Sequence, residues 1–340
     1  MRCLVVGGTG FLGGAIVDAL AAEGHAVSIL SRGGTARDVP AGVEAIRGDR
    51  HEDLSALADR EFDWAFDTCA YAPDAVEHLL DALGPELRRY VLISSISAYG
   101  DFSKPGLTEA EPVPDATDAD IAVAADIASE DRASAPAYGA SYGPLKRACE
   151  RAADARSGER ATALRVGLLV GAGDYTDRLT WWVRRLDEAK GSRRRVPAPG
   201  PETRPVQMID VRDVAGFALR CANDDLGGIW NVTGRPIPFS RLLDGIVAAT
   251  GSAAEIVWVR GEAVTAAGIA PWTEMPLMAP TDPAFRHFLE VDTGRAEQAG
   301  LITRPLAETL EPLVAWDRDR RDSDLRCGMT EAQEAELVGD

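Results

Sequence analysis

The sequence predicts an α/β fold: a doubly wound parallel sheet joined to a smaller C-terminal α+β portion. Three observations carry this. An apolar strand over 3–6 runs into Gly7-Gly8-Thr9-Gly10 and then into a segment whose apolar residues (Phe11, Leu12, Ala15, Ile16, Ala19, Leu20) recur at helical spacing. Strand-like and helix-like segments alternate through the first half, as in chains that cover a parallel sheet with helices. A helical pattern beginning at Tyr142 follows a strand that ends in Ser94-Ser95, and it carries Lys146 one turn further on.

The elements follow in order. Strands are expected over 3–6, 26–30, 43–46, 64–66, 90–93 and 162–166, with helices over 11–22, 73–83 and 142–155. Right-handed crossovers bring the C-terminal ends of these strands to one edge, where ligands bind. The stretch 101–137 breaks the rhythm: it is acidic and rich in Pro, Ala and Asp, with a short helix near 121–127. It reads either as a surface insertion over the ligand edge or as a solvated loop. The second half predicts helices over 178–189, 211–221, 239–250 and 306–318, and strands over 206–209, 229–232 and 255–259. Proline is dense over 197–205 and 271–283. From about Asp319 the chain is polar and reads as a trailing helix or tail. The expected division is a Rossmann-type dinucleotide-binding domain over 1–170, to which 206–232 returns, and a substrate-binding portion over 171–205 and 233–340.

Composition narrows the function. The 340 residues carry a net charge of −18, which disfavours nucleic acid and anionic membranes as partners. Five scattered cysteines form no C-x-x-C pair, so neither a disulfide framework nor a metal site is indicated, and a reducing, cytoplasmic setting fits. No signal peptide is expected, and no apolar run reaches the roughly 18 residues that span a bilayer.

The strand–turn–helix at the N-terminus suits a dinucleotide pyrophosphate. The first backbone N–H groups of a helix lack partners and sit at the positive end of its dipole. Gly7, Gly10 and Gly13 serve the tight turn, the close approach of backbone to phosphate and helix–strand packing, with Phe11 and Leu12 in the same turn. After the second strand, Ser31 and Arg32 offer a hydroxyl and a cation where an acidic residue would select NAD. This favours NADP(H), with NAD as the alternative; Arg32 also reads as a solvated loop residue or one that stacks on adenine. Asp49, after the third strand, is a candidate acceptor for the adenine amino group.

Tyr142 and Lys146 share a helix face. A phenol with a pKa near 10 is a poor base at neutral pH. A nearby ammonium, and the positive charge of an oxidised nicotinamide, would lower that value and let Tyr142 take a hydroxyl proton or give one to a carbonyl. Ser95 would bond the same oxygen, and Lys146 would also hold the nicotinamide ribose.

With these residues the chain resembles the extended short-chain dehydrogenase/reductases of the NAD-dependent epimerase/dehydratase type, over most of its length. Gly7-Gly-Thr-Gly10-Phe-Leu-Gly13 matches the family's G-x-x-G-x-x-G turn. Ser95 falls on its catalytic Ser/Thr, and Tyr142 and Lys146 on its catalytic pair. Leu164-Arg-Val166-Gly-Leu168 is similar to the strand that lines the nicotinamide, and Ile209-Asp-Val-Arg-Asp213 to a later strand–helix junction. The resemblance implies a cofactor contact at Val166 and Ala70, and substrate contacts at Tyr71, Ser97, Tyr175, Arg178 and Arg204. It also implies a homodimer through the helix bearing Tyr142 and the one before it. Ile96 and Ser97 replace the family dehydratases' Asp-Glu pair, so dehydration is not expected. Val206 replaces an arginine common in nucleotide-sugar binders, with Arg204 nearby.

The expected reaction is hydride transfer at a secondary alcohol or ketone of a sugar-like, polyhydroxylated small molecule. A sugar epimerase that retains its cofactor is the alternative, and a non-catalytic dinucleotide sensor or RNA-binding relative is the competitor. Lys190 and Arg193-Arg194-Arg195 form one local basic cluster, read as a solvated face or an anion site. Trp181 and Trp182 read as split between core and surface, or as a pocket wall. The segment 271–276 reads as a lid or a proline-stiffened connector.

Overall fold

Seven parallel strands form one sheet in a computed structural model that describes residues 1–33, 39–190 and 194–339. In chain order the first half runs β1 (Arg2–Val6), α1 (Phe11–Ala22), β2 (Ala26–Ser31), β3 (Glu44–Arg47), β4 (Trp64–Asp67), α2 (Pro73–Leu83), β5 (Arg89–Ser95), α3 (Asp118–Asp126), α4 (Tyr142–Ser157) and β6 (Ala161–Val166). The second half adds β7 (Leu169–Val170), α5 (Arg178–Glu188), β8 (Arg195–Gly200), β9 (Pro205–Val206), β10 (Ile209–Asp210), α6 (Val211–Asn223), β11 (Gly228–Val232), β12 (Ile237–Pro238), α7 (Phe239–Thr250), β13 (Glu255–Arg260), α8 (Gly261–Ala266), α9 (Gly294–Gln298), α10 (Leu306–Arg318) and α11 (Glu331–Val338).

The sheet order is β11-β6-β5-β4-β1-β2-β3. Chain order reverses at β1, so the crevice for a ligand opens beside its C-terminal end. Every residue of β5 and β6 is buried, as expected of strands covered on both faces. One face packs α1 and α6 on Val5, Phe66, Ile93 and Val166. The other packs Val76 and Leu79 of α2 and Cys149 and Ala153 of α4 on Leu4, Tyr90 and Leu92. A separate core gathers α5, α7, α10 and β13 around Trp182, Phe239, Leu243 and Leu313.

Three expectations change. The stretch 101–137 is anchored rather than loose. Phe102 and Gly106 N–H donate to the Ala284 and Glu290 carbonyls, while His287 and Asp292 N–H donate to those of Phe102 and Leu107. Phe102 and Leu107 are buried with Ile96, Tyr99 and Val291. Its helix, α3, starts with a capping box between Thr117 and Asp120. The second change is β8, hidden by Pro197 and Pro199. The Arg194 carbonyl accepts Glu255 N–H, which turns the even positions of this strand toward β13. The prolines therefore face away, where they remove donors that burial would leave unpaired. Third, the strand expected over 206–209 is two short ones, β9 and β10, paired with different partners.

The C-terminal stretch ends in a capped helix, α11, with Thr330 and Gln333 forming the capping box. Trp181 and Trp182 are both buried, and the Trp182 indole donates to the Pro276 carbonyl at 2.9 Å, so neither is a surface residue. Among the described residues no helix is long and apolar enough to cross a membrane.

Candidate active site

The glycine turn is built for close approach. Gly7 has φ +76°, and a Cβ on it would stand 2.6 Å from Thr68 Oγ1. A Cβ on Gly13 would stand 2.2 Å from the Gly7 carbonyl oxygen, so α1 can press on the turn only with glycine there. Gly10 caps α1 with no side-chain bond to its first turn, and that turn holds no acidic residue. The first intrahelical bond is Gly14 N–H to the Gly10 carbonyl, which leaves the N–H groups of Phe11, Leu12 and Gly13 ahead of the ladder. A dinucleotide pyrophosphate fits this donor set and this bare backbone surface. Half-buried Phe11 packs toward Gly171 and Gly173 on the far wall.

Two strands over from β1, β5 and β6 end together, with Ser95 beside Val166 and Val166 beside Val232. Ser95 leaves the sheet as the cap of a short turn, and its Oγ accepts Ser97 N–H at 3.1 Å. α4 docks on that turn through Gly143, where a Cβ would stand 2.2 Å from the Ser97 carbonyl oxygen. This contact brings Tyr142 to Ser95, and the two side chains share a hydrogen bond. Further along α4, Glu150 is buried and accepts from Arg165 Nε and Nη2, both at 2.8 Å, and from Ser94 Oγ at 2.6 Å. Tyr142, Lys146 and Glu150 thus form a stripe at four-residue spacing on the face toward the sheet. Glu150 belongs to the site's scaffold and was not anticipated. A buried carboxylate two turns beyond Tyr142 was the signal.

Lys146 is 2% exposed. Its Nζ donates to the Ala70 carbonyl at 2.8 Å and the Ile93 carbonyl at 3.0 Å, and lies 4.2 Å from the centre of the Tyr71 ring. Burial lowers its pKa. Burial also raises that of the Tyr142 phenol, against the hydrogen bond from Ser95. Burial thus acts on the phenol against the expected acidification. The ammonium is committed to two carbonyls and lies 5.8 Å from the centre of the Tyr142 ring.

The remaining residues are placed unevenly. The Tyr71 ring stacks on Tyr138 at 5.1 Å and 12° and lies 6.1 Å from that of Tyr142. Exposed Tyr175 lies within electrostatic reach of both Tyr71 and Tyr142. The Arg178 guanidinium stacks over Trp272 at 4.8 Å, so the 271–276 segment does border this side. Arg32 donates to the Ser129 carbonyl, which brings the acidic stretch over the end of β2. The Asp49 carboxylate accepts His51 N–H at 3.0 Å. Arg204 is not gathered into the site: its guanidinium binds the Gly200 carbonyl at 2.8 Å beside Gly261 and Met278. Arg194 pairs with Glu331, Arg195 donates to the Val338 carbonyl, and Arg193 lies outside the described residues.

Comparison with known proteins agrees with this layout. Residues 3–79 match the NAD dependent epimerase/dehydratase family. A 2'-dehydrokanamycin reductase from Streptomyces kanamyceticus is 36% identical over 118 residues, which are 34% of this chain and 33% of that protein. The chain therefore matches about a third of the length of this curated relative. The UDP-N-acetylglucosamine 4-epimerase from Bacillus cereus superposes with a TM-score of 0.62 at 17% identity, over 94% of this chain and 99% of that one. The UDP-glucose 4-epimerase from Thermus thermophilus, solved with NAD, gives 0.59 at 21%, over 94% and 99%. Residues 3–79 thus match the NAD dependent epimerase/dehydratase family, and the whole chain shares the fold of these epimerase structures.

Proposed function

We propose that the protein is an oxidoreductase that transfers hydride between NADP(H) and a secondary alcohol or ketone of a sugar-like, polyhydroxylated molecule. The observation that carries this reading is the meeting of Ser95, Tyr142 and Lys146 where β5 ends, beside the bare glycine turn. Gly7, Gly10, Phe11, Leu12 and Gly13 would hold the pyrophosphate, Arg32 and Ser31 the adenosine end, and Ala70, Val166 and Lys146 the nicotinamide end. When bound, the dinucleotide supplies or takes up the hydride. Ser95 orients the substrate oxygen, and Tyr142 gives or takes its proton. Binding of the dinucleotide would draw Lys146 from its two carbonyls toward the ribose. Exposed Tyr175, within electrostatic reach of Tyr142 and Arg178, and Arg178 itself would offer a phenol and a cation to a polar substrate.

Reduction is favoured over epimerisation by Ser31-Arg32 and by the reductase activity in the name of the relative from Streptomyces kanamyceticus. The test is NADPH oxidation with a panel of keto-sugars and ketone-bearing aminoglycosides. Tyr142→Phe is expected to cut kcat by about 10²–10⁴-fold with NADPH affinity retained. Undiminished turnover in that variant would sink the mechanism. Cofactor that copurifies and never exchanges would assign the epimerase instead.

A further inference from the structure

We propose that Tyr71 is a positioning residue for Lys146, a cation–π shelf rather than a substrate contact. The inference rests on the reading of Lys146 as part of the catalytic group. An ammonium has three N–H donors. Two of those of Lys146 are taken by the Ala70 and Ile93 carbonyls, and the Tyr71 ring lies 4.2 Å from Nζ. That separation is inside the range where a ring quadrupole attracts a cation, and the attraction strengthens where water is excluded. No carboxylate among the described residues lies within ion-pair distance of Lys146.

The ring is held for this task. Tyr71 follows Ala70 directly, so one loop after β4 supplies both a carbonyl and the π-face. Behind it the Tyr138 ring is nearly parallel, at 12°, and Tyr138 is 2% exposed with its hydroxyl donating to the Arg132 carbonyl at 2.9 Å. Other titratable groups also face Lys146. Asp67, Cys69 and Cys149 favour its charge, and Arg50 opposes it. The Asp67 carboxylate is engaged by Arg50 at 2.5 Å and by the Tyr90 hydroxyl at 2.5 Å. Tyr142, the remaining neighbour, is further away at 5.8 Å. The Tyr71 face thus lies against the buried ammonium at 4.2 Å, beside the two neutral carbonyls that take its donors.

The chain has three lysines, Lys104, Lys146 and Lys190, so their 13Cε signals can be followed one by one by NMR, with Lys146→Arg giving the assignment. Dinucleotide-free wild type, Tyr71→Phe, Tyr71→Leu and Tyr71→Met would be titrated. Phe keeps the face and is expected to titrate with wild type. Leu and Met remove it and are expected to lower the Lys146 midpoint by about one pH unit. In the activity assay the alkaline limb of kcat would move down by the same amount in Leu and Met and stay in place in Phe. Lys146 midpoints equal in all four proteins would overturn the proposal. So would a Phe variant that behaves like Leu, since that would assign the role to the hydroxyl. The NMR midpoint needs no substrate. A shifted midpoint without carbonyl reduction by wild type would therefore uphold the shelf while removing the proposed reaction.

Discussion

Gly143 meets the Ser97 carbonyl across the junction of α4 and the turn after β5, at a separation that leaves no room for a side chain. A helical glycine usually costs stability, and Ala in its place gains about 0.5–1 kcal/mol. Here the sign reverses. A methyl group would push α4 off the turn and carry Tyr142 from Ser95.

Gly143→Ala is therefore expected to destabilise the protein by about 1–3 kcal/mol and to lower kcat by about 10²-fold. Urea denaturation and steady-state kinetics check both. A more stable and fully active variant would refute the docking argument.

The buried Glu150–Arg165 pair holds the same helix from its other end. Glu150→Ala strands the Arg165 guanidinium and is expected to cost about 3–5 kcal/mol. Glu150→Leu combined with Arg165→Met should recover much of that loss, because no buried charge is left alone. A denaturation series across wild type, the single and the double variant measures it.

Arg32 decides the cofactor in the proposed reading. Wild type is expected to bind NADPH more tightly than NADH, and Arg32→Asp to reverse the order by on the order of tenfold or more. Fluorescence titration with both dinucleotides gives the ratio. A wild-type preference for NADH would remove Arg32 from the adenosine site.

Asp187 ties α5 to α10. Hydrogen bonding from Arg318 holds its carboxyl below the ordinary value, helped by the charges of Arg318 and Arg321. Because the folded pKa is depressed, the stabilisation is present above the unfolded value near 3.8 and is lost as pH falls through the folded one. Asp187→Asn should cost about 1–2 kcal/mol at pH 7, and the difference should shrink as pH falls below about 3.8. Thermal melts of both proteins across that range test the convergence.

The parts of the fold that could be read from sequence are those set by neighbours in the chain. α1, α2, α7 and α10 occupy the residues that their apolar spacing marked. The glycine turn and the Tyr142–Lys146 spacing were legible because backbone room and helix periodicity are local properties. Partners distant in sequence were not. Nothing local says that Arg204 turns to Gly200, that Arg194 meets Glu331, or that Lys146 spends its protons on Ala70 and Ile93. The prolines of β8 argued against a strand because the facing side of a ladder is invisible in one sequence. Glu150 could have been found, as a third member of the Tyr142–Lys146 stripe, had the polar face of α4 been read as the buried one.

The bonds from Phe102 and Gly106 to the 284–290 region set an order of assembly. Ile96, Tyr99, Phe102 and Leu107 emerge early from the ribosome, yet Val291 and Phe288, which help cover them, are made late. β11, the edge partner of β6, also arrives after α4 and β6 are complete. A nascent chain ending near residue 170 would display an uncovered apolar patch and an open strand edge, both of which invite aggregation. The N-terminal half expressed alone should for that reason be insoluble, even though it contains the whole glycine turn and all of Ser95, Tyr142 and Lys146.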